Sequence, residues 1–223
     1  DEPSTLDSQA PNGDPQADIP FSEISAVKTV VFVDTSVSGY SALVDDIRSR
    51  FDSNSVAIIY LDPTTNGVEQ ITTALGQYAG LDSIHIISHG SAGSVELGNA
   101  ILTDNSLVQY EDDLVAWGRA LGADADILFY GCDVAINPSG QALIEKIARL
   151  TDADVAASSD VTGHDSLGGD WDLEYKVGDI ESGVLISSEA QQSFVGVMAT
   201  THFINIQGGS SSQPFSSASN IGQ

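Results

Sequence analysis

The chain has one cysteine, one methionine and no long apolar run. A single cysteine excludes an intrachain disulfide and any zinc site built from several cysteines. No stretch approaches the roughly 20 apolar residues of a membrane-spanning helix, so we expect no membrane insertion. No phosphate-binding loop or dinucleotide-binding motif is present either, and we expect no required cofactor.

Basic residues are also scarce. The sequence has 7 Lys and Arg against 32 Asp and Glu, which gives a net charge of −25. Nucleic acid binding needs clustered basic side chains, so we expect no nucleic acid partner. The acidity indicates a strongly solvated surface, and it suits salty or calcium-rich surroundings.

The composition divides the chain into a core and two flanks. Residues 1–25 are rich in Pro, Asp, Ser and Gln and are predicted to be a disordered linker, while 26–198 carry regular apolar periodicity and are predicted to form the domain. Residues 199–223 are predicted to be a C-terminal linker or tail. The first residues lack the basic start and apolar core of a signal peptide. Because both ends resemble linkers, we expect a piece of a longer exported polypeptide.

Short apolar runs alternate with segments of helical spacing. The runs lie at 30–33, 56–61, 84–87, 127–130 and 154–157, and a hairpin is predicted across Gly98-Asn99. Such alternation predicts an α/β fold with a mainly parallel sheet that is covered on both faces. Functional side chains then gather beyond the carboxyl ends of the strands.

Two of these runs end in reactive side chains. Ile84 to Ile87 is followed by Ser88-His89-Gly90, and Ile127 to Tyr130 is followed by Gly131-Cys132. A nearby imidazole favours the nucleophilic thiolate, so His89 and Cys132 are candidates for a catalytic base and nucleophile. The backbone N–H groups of Gly90 and Cys132 are candidates for an oxyanion hole. The alternative is a core cysteine without catalytic role, since free cysteine is often buried, and the carboxylate of Asp133 disfavours the thiolate.

The other histidines carry weaker signals. His85 lies in the middle of a strand and is predicted to be structural. His164 lies in a glycine-rich loop and is a rival base, although no strand fixes its position. His202 lies near the C-terminal tail.

Three short segments of the sequence carry recognisable motifs: His89-Gly90-Ser91-Ala92-Gly93, Tyr130-Gly131-Cys132-Asp133-Val134-Ala135 and Gly168-Gly169-Asp170-Trp171-Asp172-Leu173-Glu174. These motifs resemble those of DUF4347, a bacterial domain of unknown function. That domain is typically found near the N-terminus of very large exported proteins with cadherin-like or calcium-binding repeats. The core also resembles the caspase-like cysteine peptidases. This resemblance implies a caspase-like three-layer α/β/α sandwich, with His89 as general base and Cys132 as nucleophile.

The resemblance implies a cysteine endopeptidase that cleaves a polypeptide, in cis within its own large exported parent or on neighbouring surface proteins. It places the chain outside the cell or on the surface of a bacterium. The alternative is a catalytically silent interaction module near the N-terminus of a bacterial adhesin. A thiol acyltransferase with the same Cys/His dyad is a third hypothesis. The chain has Tyr-Gly-Cys-Asp-Val where caspases have Gln-Ala-Cys-Arg-Gly, so the caspase preference for aspartate does not carry over.

In the resembling fold, the segment after the strand that follows the cysteine helps to build the specificity pocket. Here Ser158, Ser159 and Asp160 occupy that segment. A pocket carboxylate from Asp160 favours a basic residue before the cleaved bond. The alternative is that Ser158 and Asp160 only cap a loop. No Lys or Arg follows Lys176, so a basic preference excludes cleavage of the C-terminal tail.

Asp170, Asp172 and Glu174 alternate with Trp171, Leu173 and Tyr175. The alternation predicts a strand with an acidic outer face. Carboxylates are suitable calcium ligands, which makes calcium a candidate ligand here. The alternative is a solvated acidic edge that resists pairing with other strands.

Overall fold

Alternating strands and helices build the computed structural model, which describes residues 27–200. The predicted linker 1–25 and the predicted tail beyond Thr200 lie outside the described residues. In chain order the elements are β1 (Thr29–Asp34), α1 (Tyr40–Arg50), β2 (Val56–Leu61), α2 (Gly67–Leu75), β3 (Leu81–Ile87), β4 (Gly90–Ser91), β5 (Ser94–Leu97), β6 (Ala100–Thr103), α3 (Glu111–Ala120), β7 (Leu121–Tyr130), α4 (Pro138–Thr151), β8 (Asp154–Ala157), β9 (Tyr175–Val177) and α5 (Ser188–Ser193). Short 3₁₀ turns precede α3 and lie at Asp165–Leu167.

Six strands form the main sheet in the order β2-β1-β3-β7-β8-β9. All neighbouring pairs are parallel except β8 and β9. Strands β4, β5 and β6 form a separate antiparallel sheet, and β5 and β6 are the hairpin predicted across Gly98-Asn99. The predicted α/β fold with a mainly parallel sheet is therefore confirmed.

The apolar run of β1 explains why both faces of the sheet are covered. Successive side chains of a strand point to opposite faces. Val30 and Phe32 belong to the apolar cluster that contains the buried faces of α2, α3 and α4. Val31 and Val33 belong to the cluster that contains the buried residues of α1 and α5. All four side chains are fully buried, so the strand needs apolar residues at every position, and the layers stack as an α/β/α sandwich.

Local sequence signals fix the ends of the helices. Asn137 accepts a hydrogen bond from the backbone N–H of Gly140 at 2.8 Å, and Pro138 occupies the first turn of α4. Asp152 ends that helix in a left-handed conformation with φ of 54°. Asn66 caps α2 in the same way through the N–H of Val68.

Two predicted elements differ from the structure. Strand β7 begins at Leu121, directly after α3 and six residues before the predicted run at 127–130. The strand expected from Asp170 onward is present only at Tyr175–Val177. The expected alternation holds without the strand, because Trp171 and Leu173 are buried while Asp172 and Glu174 are exposed.

The strand order reverses between β1 and β3, since β2 lies on one side of β1 and β3 on the other. Ligands of open α/β sheets bind at such a crevice beyond the carboxyl ends of the strands. Ser36 follows β1, His89 follows β3 and Cys132 follows β7, so all three lie at this edge. Within residues 27–200, no helix is long and apolar enough to cross a lipid bilayer.

Gly118 in α3 lies directly against the end of α4. A Cβ on Gly118 would lie 2.3 Å from the carbonyl oxygen of Thr151. Gly118→Ala is therefore expected to lower the free energy of unfolding by about 2 kcal/mol, despite the better helix propensity of alanine. Urea unfolding measures the change. Gly183 is the matched control, because its added Cβ would meet nothing within 4 Å. An equal stability of both variants would contradict the close α3–α4 contact.

Candidate functional site: a Cys/His pair at the strand ends

The backbones that carry His89 and Cys132 are in direct contact. The N–H of Ser88 donates to the carbonyl oxygen of Tyr130 at 3.3 Å, which continues the β3–β7 ladder past the strand ends. A Cβ on Gly90 would lie 2.7 Å from the carbonyl oxygen of Cys132, and one on Gly131 would lie 3.1 Å from the backbone nitrogen of Gly90. Glycine at both positions permits this approach. The structure thus brings together the two segments that the sequence singled out.

Of the two ring nitrogens of His89, one has a hydrogen-bond partner and the other has none among the described residues. Its Nε2 lies 3.3 Å from the carbonyl oxygen of Ser36. A carbonyl only accepts hydrogen bonds, so Nε2 carries the proton in the neutral ring. Nδ1 is buried and has no hydrogen-bond partner among the described residues. The ring therefore offers an unprotonated Nδ1, which is the form that a general base requires.

Asp34 holds the loop that fixes His89. Its carboxylate is buried and accepts from the backbone N–H of Ser36 at 2.9 Å and from the Ser36 hydroxyl at 2.6 Å. The second oxygen accepts from the N–H of Gly98 at 2.7 Å. Asp34 therefore fixes Ser36, whose carbonyl oxygen is the partner of His89 Nε2. Sequence reasoning missed it, although an aspartate that ends a buried strand was a usable signal.

The N–H groups predicted to form an oxyanion hole converge on one atom. Gly90 donates to the carbonyl oxygen of Met198 at 2.9 Å, and Cys132 donates to the same oxygen at 3.1 Å. Two amides that point at one oxygen are the geometry that stabilises developing negative charge on a carbonyl. Their acceptor belongs to the chain itself.

Met198 lies in a short extended segment, 196–200, which we call the cleft segment. On one side, the N–H of Met198 donates to Thr162 at 2.9 Å, and the carbonyl of Gly196 accepts from His164 at 2.9 Å. On the other side, Thr200 donates to the carbonyl of Gly90 at 3.1 Å. The segment thus pairs with Gly163 in antiparallel fashion and with Gly90 in parallel fashion.

Sequence reasoning gave Met198 no role and assigned Ala199 onward to a tail. The structure places Met198, which is the chain's only methionine, fully buried in the apolar cluster that contains Cys132, Tyr130 and Trp171. A lone apolar residue among polar and small neighbours was the available signal. Nothing in a single sequence indicated which cleft it enters.

The Cys132 thiol is buried and protonated. It has no exposed surface and donates to the carbonyl oxygen of Thr162 at 3.4 Å. The pKa of the thiol is raised to about 11, chiefly by burial and also by the carboxylates of Asp133 and Asp160, while backbone hydrogen bonds at Thr162 and Met198 lower it only in part. The unfavourable effect expected from Asp133 is therefore present, although burial is the larger cause.

The residues predicted to line a specificity pocket form a loop network. The hydroxyl of Ser158 donates to the backbone oxygen of Asp160 at 2.9 Å and to its carboxylate at 3.3 Å. Ser159 contacts Glu174 through its N–H and its hydroxyl. Asp160 is exposed, whereas Met198 is buried beside the cysteine. These contacts are those of the loop-capping alternative, and the role of Asp160 in specificity stays a prediction.

The rings of His85 and His164 both make hydrogen bonds to nearby groups of the fold. The ring of His85 is buried between the Tyr130 hydroxyl at 2.9 Å and the Ser83 hydroxyl at 3.2 Å, as a structural histidine would be. His164 accepts from the N–H of Ser166 through Nδ1. Its ring therefore caps the turn that it begins. His202 lies outside the described residues.

Two groups of carboxylates in the described part of the chain have oxygens within 4.8 Å of one another. Asp160, Asp170 and Glu174 form one, so two of the three calcium candidates meet while Asp172 stands apart. Repulsion within this group, after burial, raises the pKa of Asp160. Asp126, Asp154 and Glu181 form the other, which the sequence did not single out. Calcium binding stays a prediction.

Comparison with known proteins gives one strong match. The sequence model described as "Domain of unknown function (DUF4347)" matches residues 30–198. Comparison with curated proteins finds no match. Among solved structures, one described as "Crystal structure of a small-chain dehydrogenase" is 14% identical over 56% of this chain and 77% of that chain, with a TM-score of 0.31. A similarity at that level carries no argument about function.

The buried thiol is expected to resist alkylation. A rise in pKa from the ordinary 9.0 to about 11 lowers the thiolate fraction near neutral pH by about 100-fold. Iodoacetamide at about pH 8 should therefore label the native chain at least about 100-fold more slowly than the urea-unfolded chain. Mass spectrometry follows the single labelled cysteine. Equal rates in the two states would contradict the buried, protonated thiol.

His85 is expected to make stability depend on pH. Burial lowers its pKa from 6.5 to about 3, so between these values the unfolded chain binds a proton that the native chain does not. The contribution of His85 to the free energy of unfolding is complete above about pH 6.5 and is lost as the pH falls. The loss is about 2 kcal/mol between about pH 7.5 and pH 5. Urea unfolding at both pH values should show a smaller loss for His85→Gln. Equal losses in the two chains would show that His85 is not buried in neutral form.

Proposed function

We propose that this chain, which belongs to the DUF4347 family, is a cysteine endopeptidase that acts through Cys132 and His89. The observation that carries the proposal is the convergence of two amides on a single carbonyl oxygen beside the thiol. An interaction module has no need of two N–H donors that meet one oxygen next to a cysteine. A peptidase needs this arrangement, because the oxygen becomes negatively charged when sulfur attacks the carbonyl carbon.

The residues have complementary roles in such a reaction. The sulfur of Cys132 forms a bond to the substrate carbonyl carbon, and the thiol proton passes to Nδ1 of His89. The carbonyl oxygen takes the electron pair and is held by the amides of Gly90 and Cys132. The carbon–nitrogen bond then breaks, and the proton on His89 passes to the leaving amine. Water adds to the thioester, the sulfur–carbon bond breaks, and the thiol and a new carboxylate are released.

The order of the elements supports a caspase-like peptidase in particular. A histidine follows β3, a cysteine follows the adjacent strand β7, and the next parallel strand leads to the loop that flanks the cleft. A polypeptide that enters the cleft pairs with Gly90 and with the backbone of 162–164, as the cleft segment does. Backbone pairing of this kind suits an extended peptide substrate.

The biological setting is part of the proposal. We place the chain in a longer exported bacterial polypeptide, where it processes its own parent or neighbouring surface proteins. The support is compositional: a net charge of −25 and linker-like sequences at both flanks. Calcium on the group that contains Asp160 would also act on the dyad, because the Asp160 carboxylate raises the pKa of Cys132.

A silent interaction module is the second candidate. The observation that favours it is the burial of the Cys132 thiol, whose pKa of about 11 leaves little thiolate near neutral pH. The cleft segment itself contributes to this burial, because Met198 lies in the same apolar cluster as Cys132. Under the peptidase hypothesis, the thiol is buried because the cleft segment covers it before any reaction takes place.

Loss of either dyad residue is expected to remove activity. Cys132→Ala and His89→Ala should each lower the rate of peptide cleavage by at least about 1000-fold, because nucleophile and base act as a unit. A synthetic peptide library, analysed by mass spectrometry with and without calcium, measures the cleavage. A free acid at each new C-terminus distinguishes hydrolysis from acyl transfer to an amine.

Circular dichroism and urea unfolding check that both variants fold, and Gly183→Ala serves as the remote control that cleaves like the unchanged chain. Equal cleavage by Cys132→Ala would remove the dyad from the reaction. A folded chain that cleaves no peptide under any of these conditions would favour the silent module.

A further inference from the structure

We propose that the cleft segment is the enzyme's own substrate and that the bond cleaved in cis is the one between Met198 and Ala199. This inference rests on the proposed peptidase function and names its substrate. Its starting point is that the atom in the oxyanion hole is the carbonyl oxygen of Met198. In a peptidase, the carbonyl in that position belongs to the residue before the cleaved bond.

Backbone pairing fixes the register of the segment on both sides of this bond. Before the bond, the Met198 N–H binds Thr162 and the Gly196 carbonyl binds the His164 N–H. After the bond, the backbone N–H and the hydroxyl of Thr200 both donate to the carbonyl of Gly90, at 3.1 and 3.3 Å. A shift by one residue would remove these contacts and move Met198 out of the oxyanion hole.

Gly163 lets the segment come close enough to be held. Its φ is +144°, and a Cβ there would lie 2.5 Å from the carbonyl oxygen of Gly196 and 2.8 Å from the Cα of Val197. A side chain at this position would therefore push the segment away from the cleft wall. The cleft and the segment fit each other at the level of the backbone.

The sulfur lies beside the same residue. The Cys132 thiol and the Met198 N–H share one acceptor, the carbonyl oxygen of Thr162, at 3.4 and 2.9 Å. The Cys132 backbone N–H reaches the carbonyl of Met198 at 3.1 Å. Both ends of Met198 are thus bound by groups next to the nucleophile, which reduces the entropy cost of attack.

The side chain of Met198 defines the preference of the site. Met198 is the only fully buried residue in 195–200, and it packs in the cluster of Tyr130, Cys132 and Trp171. A charge here would be buried without a partner, which is strongly unfavourable. The site therefore takes an apolar residue before the cleaved bond, in place of the basic residue considered from Asp160.

The reaction follows the steps of the proposed mechanism with atoms of this chain. Sulfur of Cys132 bonds to the Met198 carbonyl carbon, and the thiol proton travels through His89 to the nitrogen of Ala199 as the peptide bond breaks. Water then releases the Met198 carboxylate and restores the thiol. The products are a domain that ends at Met198 and a chain that begins at Ala199.

Intact mass spectrometry of the purified chain tests the inference. We expect a Cys132-dependent product that ends at Met198 and a peptide that runs from Ala199 to Gln223. Cyanogen bromide cuts after methionine, and the chain has only one. Treatment of Cys132→Ala with this reagent therefore yields the same C-terminal peptide as a mass standard.

Substitutions in the segment separate recognition from general damage. Met198→Asp should abolish cleavage at this bond, while Met198→Leu should retain it, because only the aspartate places a charge in the apolar site. Val195→Asp is the matched control, since Val195 is 88% exposed, and it should be cleaved like the unchanged chain. Met198→Asp should also speed the alkylation of Cys132 at least about 10-fold, because release of the segment uncovers the thiol.

Three results overturn the inference in distinguishable ways. Cys132-dependent cleavage of library peptides with no product that ends at Met198 would refute the cis substrate and leave the peptidase standing. Unchanged alkylation in Met198→Asp would show that the segment does not cover the thiol. Absence of any Cys132-dependent cleavage, in the chain or in the library, would refute the proposed function together with the inference.

Discussion

Two backbone amides that share one carbonyl oxygen are the contact on which this account depends. The N–H groups of Gly90 and Cys132 follow different strands, and both donate to Met198. They can do so only because β3 and β7 are neighbours in parallel register and because glycine at 90 and 131 lets the strand ends touch. The sheet order, the glycines and the cleft segment are therefore parts of a single arrangement.

This arrangement has a consequence for the thiol. The segment that binds these two amides also packs in the apolar cluster of Cys132, and burial is the main reason why the pKa of the thiol is about 11. The cleft therefore holds a segment of the chain itself, and the thiol beside it is protonated near neutral pH. The carbonyl of Ser36, which Asp34 holds in place, fixes the ring of His89, and its Nδ1 has no hydrogen-bond partner among residues 27–200. Under the proposed function, His89 has to take the thiol proton before the sulfur can attack a carbonyl carbon.

Much of the fold was predictable, because fully buried parallel strands require apolar residues at every position. The runs around Val30–Val33 and Ile127–Tyr130 carry that signal, and they end at His89, Cys132 and their glycines. Contacts between distant segments were not predictable. Nothing in a single sequence indicates that Met198 pairs with Thr162 and Gly90, or that Asp34 reaches Gly98. The alternating burial around Trp171 was correctly anticipated, but the strand was not, since burial alternates there without the ladder of a sheet.

The central claim is that the Met198 carbonyl is the carbon attacked by Cys132. Because the chain has one methionine, carbonyl-¹³C methionine places a single label on that atom. The account predicts that its NMR signal converts from an amide to a carboxylate in the unchanged chain and remains an amide in Cys132→Ala. A signal that stays an amide in the unchanged chain, while Cys132-dependent cleavage occurs elsewhere, would contradict it.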